Sequence, residues 1–181
     1  MTTTYEDIHR DVIELCIKGD PAAQFRLYSL YSGAMYNVCL RMVRRQEEAE
    51  DLLQEAFTYA FSKLGTFRFE SAFGAWIKRI TVNTCINHLK KKRAELVLTD
   101  KNLDRLEEDE VDYEDIEFKV EEVRKAIEQL PDGYRVVLSL YLLEGYDHQE
   151  IAGILNITES TSKSQYLRAK LKIKEILADH E

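Results

Sequence analysis

The stretch 67–93 concentrates basic and aromatic side chains in a chain that is acidic as a whole. It holds seven Lys or Arg residues and the single acid Glu70, whereas the complete chain of 181 residues carries a formal net charge of −8. Cations neutralise phosphates, and aromatic rings offer unpaired bases a surface for stacking. The stretch is therefore typical of a surface that binds a nucleic-acid strand whose bases have left the duplex.

A structural interpretation of the same stretch stays open beside the functional one. Phe73 and Trp76 are expected to anchor a core, because large aromatic rings are mostly buried. The basic run 90–93 also suits the solvated C-terminal end of a helix, which favours cations. Residues 67–71 differ, since they lie between Gly65 and the next predicted helix. Aromatic rings in such a loop are expected to be exposed and to serve a function.

The last predicted helix carries short polar and cationic side chains away from its apolar face. Such groups suit the N-terminal half of a recognition helix, because that end enters the major groove while later cations, here Lys170, Lys172 and Lys174, meet phosphates. A solvated polar face without a ligand is the structural alternative. The candidate reading residues are Ser160, Thr161, Lys163, Ser164, Gln165 and Arg168.

No combination of residues in the sequence predicts an enzyme. The three cysteines, Cys16, Cys39 and Cys85, are widely spaced, and the four histidines are scattered. This spacing argues against a disulfide framework and a zinc site, so the cysteines are expected to be reduced core residues. A phosphate-binding loop and an activated nucleophile are also missing. We therefore expect no catalytic residue, no metal and no cofactor.

Apolar residues at helical spacing predict three or four helices in the first half of the chain. Asp20 and Pro21 form a favourable start for the first of them, which is expected to bury an apolar side that includes Phe25. The second is the clearest, because its apolar series repeats over about four turns and ends at Gly65. The predicted helices span about 21–43, 49–64 and 71–92.

The second half of the chain has the pattern of a helix-turn-helix domain. Pro131 ends one predicted helix, and Asp147 with Glu150 resembles a capping box at the start of another. Asn156 tolerates the left-handed conformation that a tight turn requires, and Thr158 is a suitable N-cap for the helix that follows. Together these signals predict a short and a long helix joined by a three-residue turn. The long helix spans about 159–178. The other predicted helices of this half span about 116–130 and 134–143, and the second of these is apolar on most sides and central.

The uneven distribution of charge predicts two domains. Residues 96–122 hold twelve acids and three bases, whereas the residues before and after them are close to neutral. The centre of this segment has too few apolar residues for a core, so it is expected to be a linker. We predict an all-α protein with a helical bundle over 10–94, an acidic linker over 95–117 and a helix-turn-helix domain over 118–178.

The hydropathy of the chain predicts no insertion into a membrane. A membrane-spanning helix needs a run of roughly 18 to 20 apolar residues, and the sequence contains none. The first residues also lack the basic and apolar regions of a signal peptide. A cytoplasmic protein is therefore expected.

Five motifs of the chain, taken in order, resemble the extracytoplasmic-function (ECF) group of bacterial RNA polymerase sigma factors. Five ordered motifs at the right separations are far more specific than any one of them, and together they cover roughly 10–94 and 118–176. The motifs are AEDLLQEAF at 49–57, FRFESAFGAWIKRITVN at 67–83, IEQLP at 127–131, GYDHQEIA at 145–152 and STSKSQYLRAK at 160–170.

The resemblance implies a transcription initiation factor that binds core RNA polymerase, recognises promoter DNA and helps to open it. It also makes an anti-sigma factor a candidate partner. By resemblance, the helix over 49–64 docks on the polymerase, the loop 66–72 and the following helix recognise the minus-ten element and melt it, and the last helix reads the minus-thirty-five element. The implied polymerase-binding residues are Glu50, Asp51, Gln54 and Glu55. Those implied for the minus-ten element and melting are Phe67, Arg68, Phe69, Ser71, Lys78, Arg79, Asn83, Asn87 and Lys90.

Three positions depart from the pattern of the family. Phe69 stands where a small or polar residue is usual, Ser162 replaces a buried Val, and Gln165 replaces an Arg. Ser162 is expected to weaken the packing of the last helix, and Gln165 removes a cation from its DNA face. Two other functions stay open from the sequence: a helix-turn-helix regulator that acts without polymerase, and a helical module that binds only another protein.

Overall fold

The computed structural model of the chain describes residues 8–97 and 120–178. Within these ranges all regular structure is helical, which confirms the predicted all-α class. The chain divides after His88 into two compact units. Of the predicted acidic linker, residues 95–97 continue a helix, and residues 98–117 lie outside the described residues.

Four helices and a short 3₁₀ turn make up the described part of the first unit. Three of these helices match the predicted ones, and the helix before them is additional. The elements are α1 (Arg10–Ile17), α2 (Pro21–Val43), α3 (Gln46–Lys63), the turn Leu64–Thr66, and α4 (Phe73–Val97), which begins in the first unit and continues past its boundary.

Asp20 caps α2 as the sequence predicts. Its Oδ1 accepts hydrogen bonds from the backbone N–H groups of Ala22 at 2.8 Å and Ala23 at 3.1 Å, and Pro21 occupies the first helical position. A cap of this kind stabilises a helix by about 1 kcal/mol. The helix ends at Arg44, which adopts the left-handed conformation with φ 65°.

The expected burial of Phe25 on α2 is wrong, because its side chain is 73% exposed. Ala23 and Leu27 belong to the core. Phe25 is two positions from each of them in the sequence, which corresponds to a rotation of about 200° around the helix axis. Phe25 therefore faces away from the core side of α2.

The three cysteines are buried and unpaired, as the sequence predicts. Hydrogen bonding between the thiols of Cys39 and Cys85, together with burial, raises the pKa of Cys85 far above its usual range. Burial, and secondarily the carboxylate of Asp20, raises the pKa of Cys16. The thiols of Cys16 and Cys85 therefore stay protonated near neutral pH. All three cysteines act as small apolar core residues.

The described part of the second unit consists of α5 (Val120–Gln129), α6 (Asp132–Leu142), α7 (His148–Leu155) and α8 (Glu159–Ala178). Leu130, Leu138 and Ala169 form the centre of a core that joins α6 and α8 with the end of α5. Partly buried apolar side chains surround this centre: Ile127, Tyr134, Tyr166 and Ile173.

A buried arginine, not predicted from the sequence, stabilises the junction between α5 and α6. Arg135 is almost fully buried. Its Nη1 donates to the carbonyl oxygen of Leu130 at 2.9 Å, and its Nη2 donates to Oδ1 of Asp132 at 2.7 Å. The two hydrogen bonds satisfy donors of the buried guanidinium, and the pairing with Asp132 offsets part of the free energy that a buried charge costs.

The prediction that residues 134–143 form a central helix is confirmed for its middle but is wrong at its C-terminal end. Residues 135–140 are buried, but Leu142 and Leu143 are 54% and 51% exposed. The last turn of α6 thus carries apolar side chains into solvent, whereas its middle lies in the core.

The predicted helix-turn-helix is present and closes through local hydrogen bonds. The N–H of Glu150 donates to Asp147, and the carboxylate of Glu150 accepts from the N–H of Asp147, which is the predicted capping box. Asn156 adopts φ 57° and ψ 50° at the turn. Thr158 Oγ1 accepts from the N–H of Thr161 at 3.1 Å and so caps α8.

Among the described helices, none combines the length and the apolar character that crossing a bilayer requires.

Candidate functional site

A cluster of aromatic rings supports the loop between the 3₁₀ turn and α4. The ring centroid of Phe67 lies 5.7 Å from that of Phe73 and 5.3 Å from that of Trp76. Phe67 is only 7% exposed, so the expectation that it is an exposed loop residue is wrong. The reason is the 3₁₀ turn: the N–H of Phe67 donates to the carbonyl of Leu64 at 3.0 Å and folds the chain back. Phe67 belongs to the support of the loop.

Phe69 lies in the same loop and is partly exposed, with its ring centroid 4.9 Å from that of Phe67. Its side chain is half-buried, and its backbone has φ 56°, a conformation that is uncommon for a bulky residue and favours Gly, Asn or Asp. This backbone accounts for the small or polar residue that the family resemblance implies here. The guanidinium carbon of Arg10 lies over the ring at 4.5 Å from the centroid, and Arg10 Nε donates to Glu14 at 2.8 Å.

Helices α1 and α2 hold the other side of the aromatic cluster. The ring of Tyr31 packs edge-on against Phe73 with 5.0 Å between centroids, and its hydroxyl lies 2.8 Å from Nδ1 of His9. A Cβ atom on Gly74 would come within 3.2 Å of the Tyr31 ring. A larger residue at this position would therefore have to displace the ring.

Polar side chains form one exposed stripe along α4. Arg79, Asn83, Asn87 and Lys90 are exposed and follow each other at four, four and three positions, which places them on one side of the helix. Lys78 lies beside the stripe and is half-buried. In the loop, Arg68 and Ser71 are exposed. The structure thus places the predicted minus-ten residues in one loop and on one helix, with Phe67 buried beneath the loop. We call Arg79, Asn83, Asn87 and Lys90 the α4 stripe.

The predicted polymerase-binding residues form an acidic face on α3. Glu50, Asp51, Gln54 and Glu55 are all exposed, because the opposite side of the helix is buried in the core. Glu50 accepts a hydrogen bond from Gln46 at 3.0 Å. These four residues are the acidic face.

The predicted reading residues lie in the first three turns of α8, and the structure places them unequally. Ser160 and Lys163 are exposed, whereas Thr161, Ser164, Gln165 and Arg168 are half-buried. Lys163 pairs with Glu159 at 2.7 Å. Ser162, within the same turns, is fully buried. We call the six reading residues the α8 polar face.

Comparison with known proteins identifies the family. Family models of Sigma-70 region 2 and of Sigma-70, region 4 match residues 27–95 and 120–173. The chain is 32% identical to the RNA polymerase sigma-H factor of Pseudomonas aeruginosa over 98% of this chain and 96% of that protein. The chain is an ECF sigma factor of the sigma-70 family. It is also 30% identical to the ECF RNA polymerase sigma factor SigM of Bacillus subtilis, over 82% of this chain and 91% of that protein.

Two solved structures share the fold of this sigma factor. The sigma factor RpoE of Bartonella quintana, solved with the anti-sigma factor NepR, superposes with a TM-score of 0.57 at 22% identity and covers 84% of this chain and 95% of its own. CnrH, solved with the cytosolic domain of CnrY, superposes with a TM-score of 0.57 at 20% identity and covers 97% of this chain and all of its own. Both support the all-helical architecture.

The region 2 match of the sigma factor includes α3 and most of α4 but not α1. Arg10, which contacts the loop, therefore lies outside the matched region, and sequence reasoning missed it. The available signal was local: Arg10 and Glu14 are an i, i+4 pair around the buried residues Val12, Ile13 and Cys16. This pattern predicts a short amphipathic helix, but it does not show what the arginine contacts.

Proposed function

We propose that this sigma factor binds core RNA polymerase, directs it to promoters that have two separated elements, and promotes opening of the duplex. The acidic face docks on the polymerase. The loop before α4 and the α4 stripe bind the melted minus-ten element, and the α8 polar face reads the minus-thirty-five element.

The position of Phe69, a half-buried ring in the loop before α4, is the observation that best supports the opening step. A base stacked inside a duplex cannot reach a ring on the protein, so this contact forms only after the base has left its pair. Unpairing costs a few kcal/mol, and stacking on an aromatic side chain returns roughly 1–3 kcal/mol per base. The contact therefore stabilises open DNA and leaves closed DNA unaffected.

The composition of the α4 stripe fits a strand bound beside that ring. Arg79 and Lys90 are exposed cations that neutralise phosphates. Asn83 and Asn87 each offer two donors and one acceptor, which suits the edges of bases. The stripe thus supplies both charge compensation and base recognition along one helix side.

The sidedness of α3 supports docking through the acidic face. Its apolar side, including Leu52, Leu53 and Phe57, is already buried in the first unit. Only the polar side is left for a partner, and its acids would steer association with a basic surface of the polymerase.

Reading of the upstream element is supported by the position of the α8 polar face at the N-terminal half of the second helix of the helix-turn-helix. Short hydroxyls, an amide and two cations can approach base edges and phosphates without steric conflict in the major groove.

In this proposal the chain supplies no catalytic group, and the polymerase performs the nucleotide chemistry in the cytoplasm. We also propose that an anti-sigma factor restrains the free protein. The support for this partner is the fold that the chain shares with RpoE, whose solved structure contains the anti-sigma factor NepR.

Electrophoretic mobility shift with fork-junction DNA, with and without core polymerase, tests the proposal. A sigma factor of this kind shifts the fork junction strongly only when polymerase is present. Binding of duplex DNA by the chain alone, as a dimer, would instead indicate a helix-turn-helix regulator. Binding to a protein without any effect on DNA would indicate an interaction module.

A further inference from the structure

A buried hydroxyl on α8 bonds to a histidine at the start of α7. Ser162 has no exposed surface, and its Oγ lies 2.9 Å from Nδ1 of His148. A hydroxyl shielded from water costs free energy unless it is hydrogen-bonded. The contact with His148 provides this bond, so the serine does not simply leave a packing defect where a Val was expected.

Aromatic side chains from α6 and α8 fix the orientation of the histidine ring. The rings of His148 and Tyr141 are stacked, with 4.5 Å between centroids and 14° between planes. The ring of Tyr166 packs edge-on against His148 at 5.6 Å and also contacts Tyr141 at 4.7 Å. The imidazole is held from two directions, and its Nδ1 points towards Ser162.

A second buried serine in the same unit shows that burial alone does not give a serine hydroxyl a hydrogen-bond partner. Ser139 on α6 is only 1% exposed, and its Oγ has no hydrogen-bond partner among the residues that the structure describes. The two serines are equally buried but differ in their partners. Ser139 therefore serves as a matched control for Ser162.

We propose that His148 is a positioning residue that sets the rotation of α8 on α7 through Ser162 and so aims the α8 polar face at the minus-thirty-five element. The inference rests on the proposed function of that face. Hydrogen bonds weaken steeply away from linearity, whereas apolar packing is non-directional, so the bond restricts rotation in a way that a Val would not. Thr161 and Lys163 flank Ser162 at about 100° to either side, and a rotation of α8 displaces both. Side chains that contact a ligand tolerate errors of only about 10–20° in their orientation, so such a rotation would weaken DNA recognition.

Four variants separate the effect of the His148–Ser162 hydrogen bond from the effect of ring packing. His148→Phe keeps a ring for stacking on Tyr141 but removes Nδ1. His148→Asn removes the ring but places a polar amide atom where Nδ1 was. His148→Phe combined with Ser162→Ala removes both partners of the bond, and Ser139→Ala removes a buried hydroxyl that has no partner.

The assay is run-off transcription with core polymerase on a promoter library in which the upstream element is randomised and the downstream element is constant. Sequencing of the transcripts gives the base preference at each upstream position, and circular dichroism gives the melting temperature of each variant. We expect His148→Phe to reduce the upstream preference by about five- to tenfold, which is the lower part of the range for one base contact. We expect His148→Asn to retain most of it and Ser139→Ala to retain all of it.

The double variant distinguishes positioning from stability. Replacement of both partners by apolar groups is nearly neutral for folding, so its melting temperature should exceed that of His148→Phe. Its upstream preference should nevertheless stay reduced, because no directional bond remains. The inference would be overturned if the double variant recovered both the upstream preference and the stability, or if His148→Phe kept a wild-type upstream preference. Either result would leave the proposed function intact. A wild-type protein without upstream preference would refute the proposed reading function, and the inference with it.

Discussion

Arg10 of α1 stacks on the ring of Phe69 in the loop before α4, with 4.5 Å between the guanidinium carbon and the ring centroid. The contact joins a helix outside the matched family region to the loop that we propose to bind an unpaired base. It also helps to hold a phenylalanine in a left-handed backbone conformation, which costs roughly 1–2 kcal/mol for a residue of this kind. The loop is therefore held by contacts between elements rather than by its own local preference.

Substitution of Phe69 by Asn should separate folding from DNA opening. Asn tolerates the left-handed backbone, so the substitution removes backbone strain. The relief of strain offsets the loss of the cation–π and ring contacts, and the free energy of unfolding should change by about 1 kcal/mol or less. Open complex should fall at least about fivefold, because a stacking contact contributes roughly 1–3 kcal/mol. Permanganate reactivity of melted thymines, compared at equal polymerase binding, measures the effect.

The matched control for this experiment is Phe25→Asn, since Phe25 is another accessible aromatic residue of the first unit and has no proposed contact with DNA. It should leave permanganate reactivity unchanged. Equal permanganate reactivity in the Phe69 variant and the wild type would show that Phe69 has only a structural role.

Truncation of Phe67 should act on stability instead. Its ring is buried against Phe73 and Trp76, and removal of a buried Phe side chain costs about 3–5 kcal/mol. Phe67→Ala should therefore lower the melting temperature of the protein by roughly 10 °C or more, as followed by circular dichroism. Phe67→Leu should lose much less. An unchanged melting temperature for Phe67→Ala would contradict the assignment of this ring to the support of the loop.

Charge reversal on the acidic face should weaken binding to core polymerase without unfolding the protein. Asp51 and Glu55 are exposed, and exposed substitutions usually change stability by about 0.5 kcal/mol or less. Their joint replacement by Lys should reduce the amount of core enzyme recovered in a pull-down. Reversal of two exposed acids on α5, Glu121 and Glu128, is the control for net charge and should have little effect. If both double variants recover as much polymerase as the wild type, the docking site lies elsewhere.

Loss of a cation from the α8 polar face should weaken recognition of the upstream element. Lys163→Ala and Arg168→Ala should each cost on the order of 1–3 kcal/mol in binding, seen as lower transcription from a promoter that depends on its minus-thirty-five element. Lys125→Ala on α5 removes an exposed cation outside this face and serves as the control. Wild-type activity of both α8 variants on that promoter would exclude these side chains as readers.

Features that depend on neighbouring residues could be predicted from the sequence. The cap by Asp20, the capping box of Asp147 and Glu150, and the left-handed turn at Asn156 all form as expected, because a cap or a turn involves residues within three or four positions of each other. The exposed acidic face and the α4 stripe were predictable for a related reason: they are the sides of helices that the apolar periodicity leaves for solvent.

Contacts between distant parts of the chain could not be predicted in this way. Burial of Phe67 requires the 3₁₀ turn and α4 together, and the stacking of Arg10 on Phe69 joins two elements that are far apart in sequence. The bond between His148 and Ser162 depends on how α7 crosses α8. The position of Phe67 between Gly65 and the next predicted helix gave the opposite expectation, because such a segment is usually an exposed loop.

Transcription from a random promoter library with purified components tests whether this chain makes core RNA polymerase initiate at specific promoters. Polymerase and chain together should yield transcripts whose templates share two separated elements, and neither component alone should do so. The thymines of the downstream element should become reactive to permanganate only in the joint complex. Transcripts that are the same with and without the chain, together with binding of duplex DNA by the chain alone, would show that the chain is not the factor that directs polymerase to promoters.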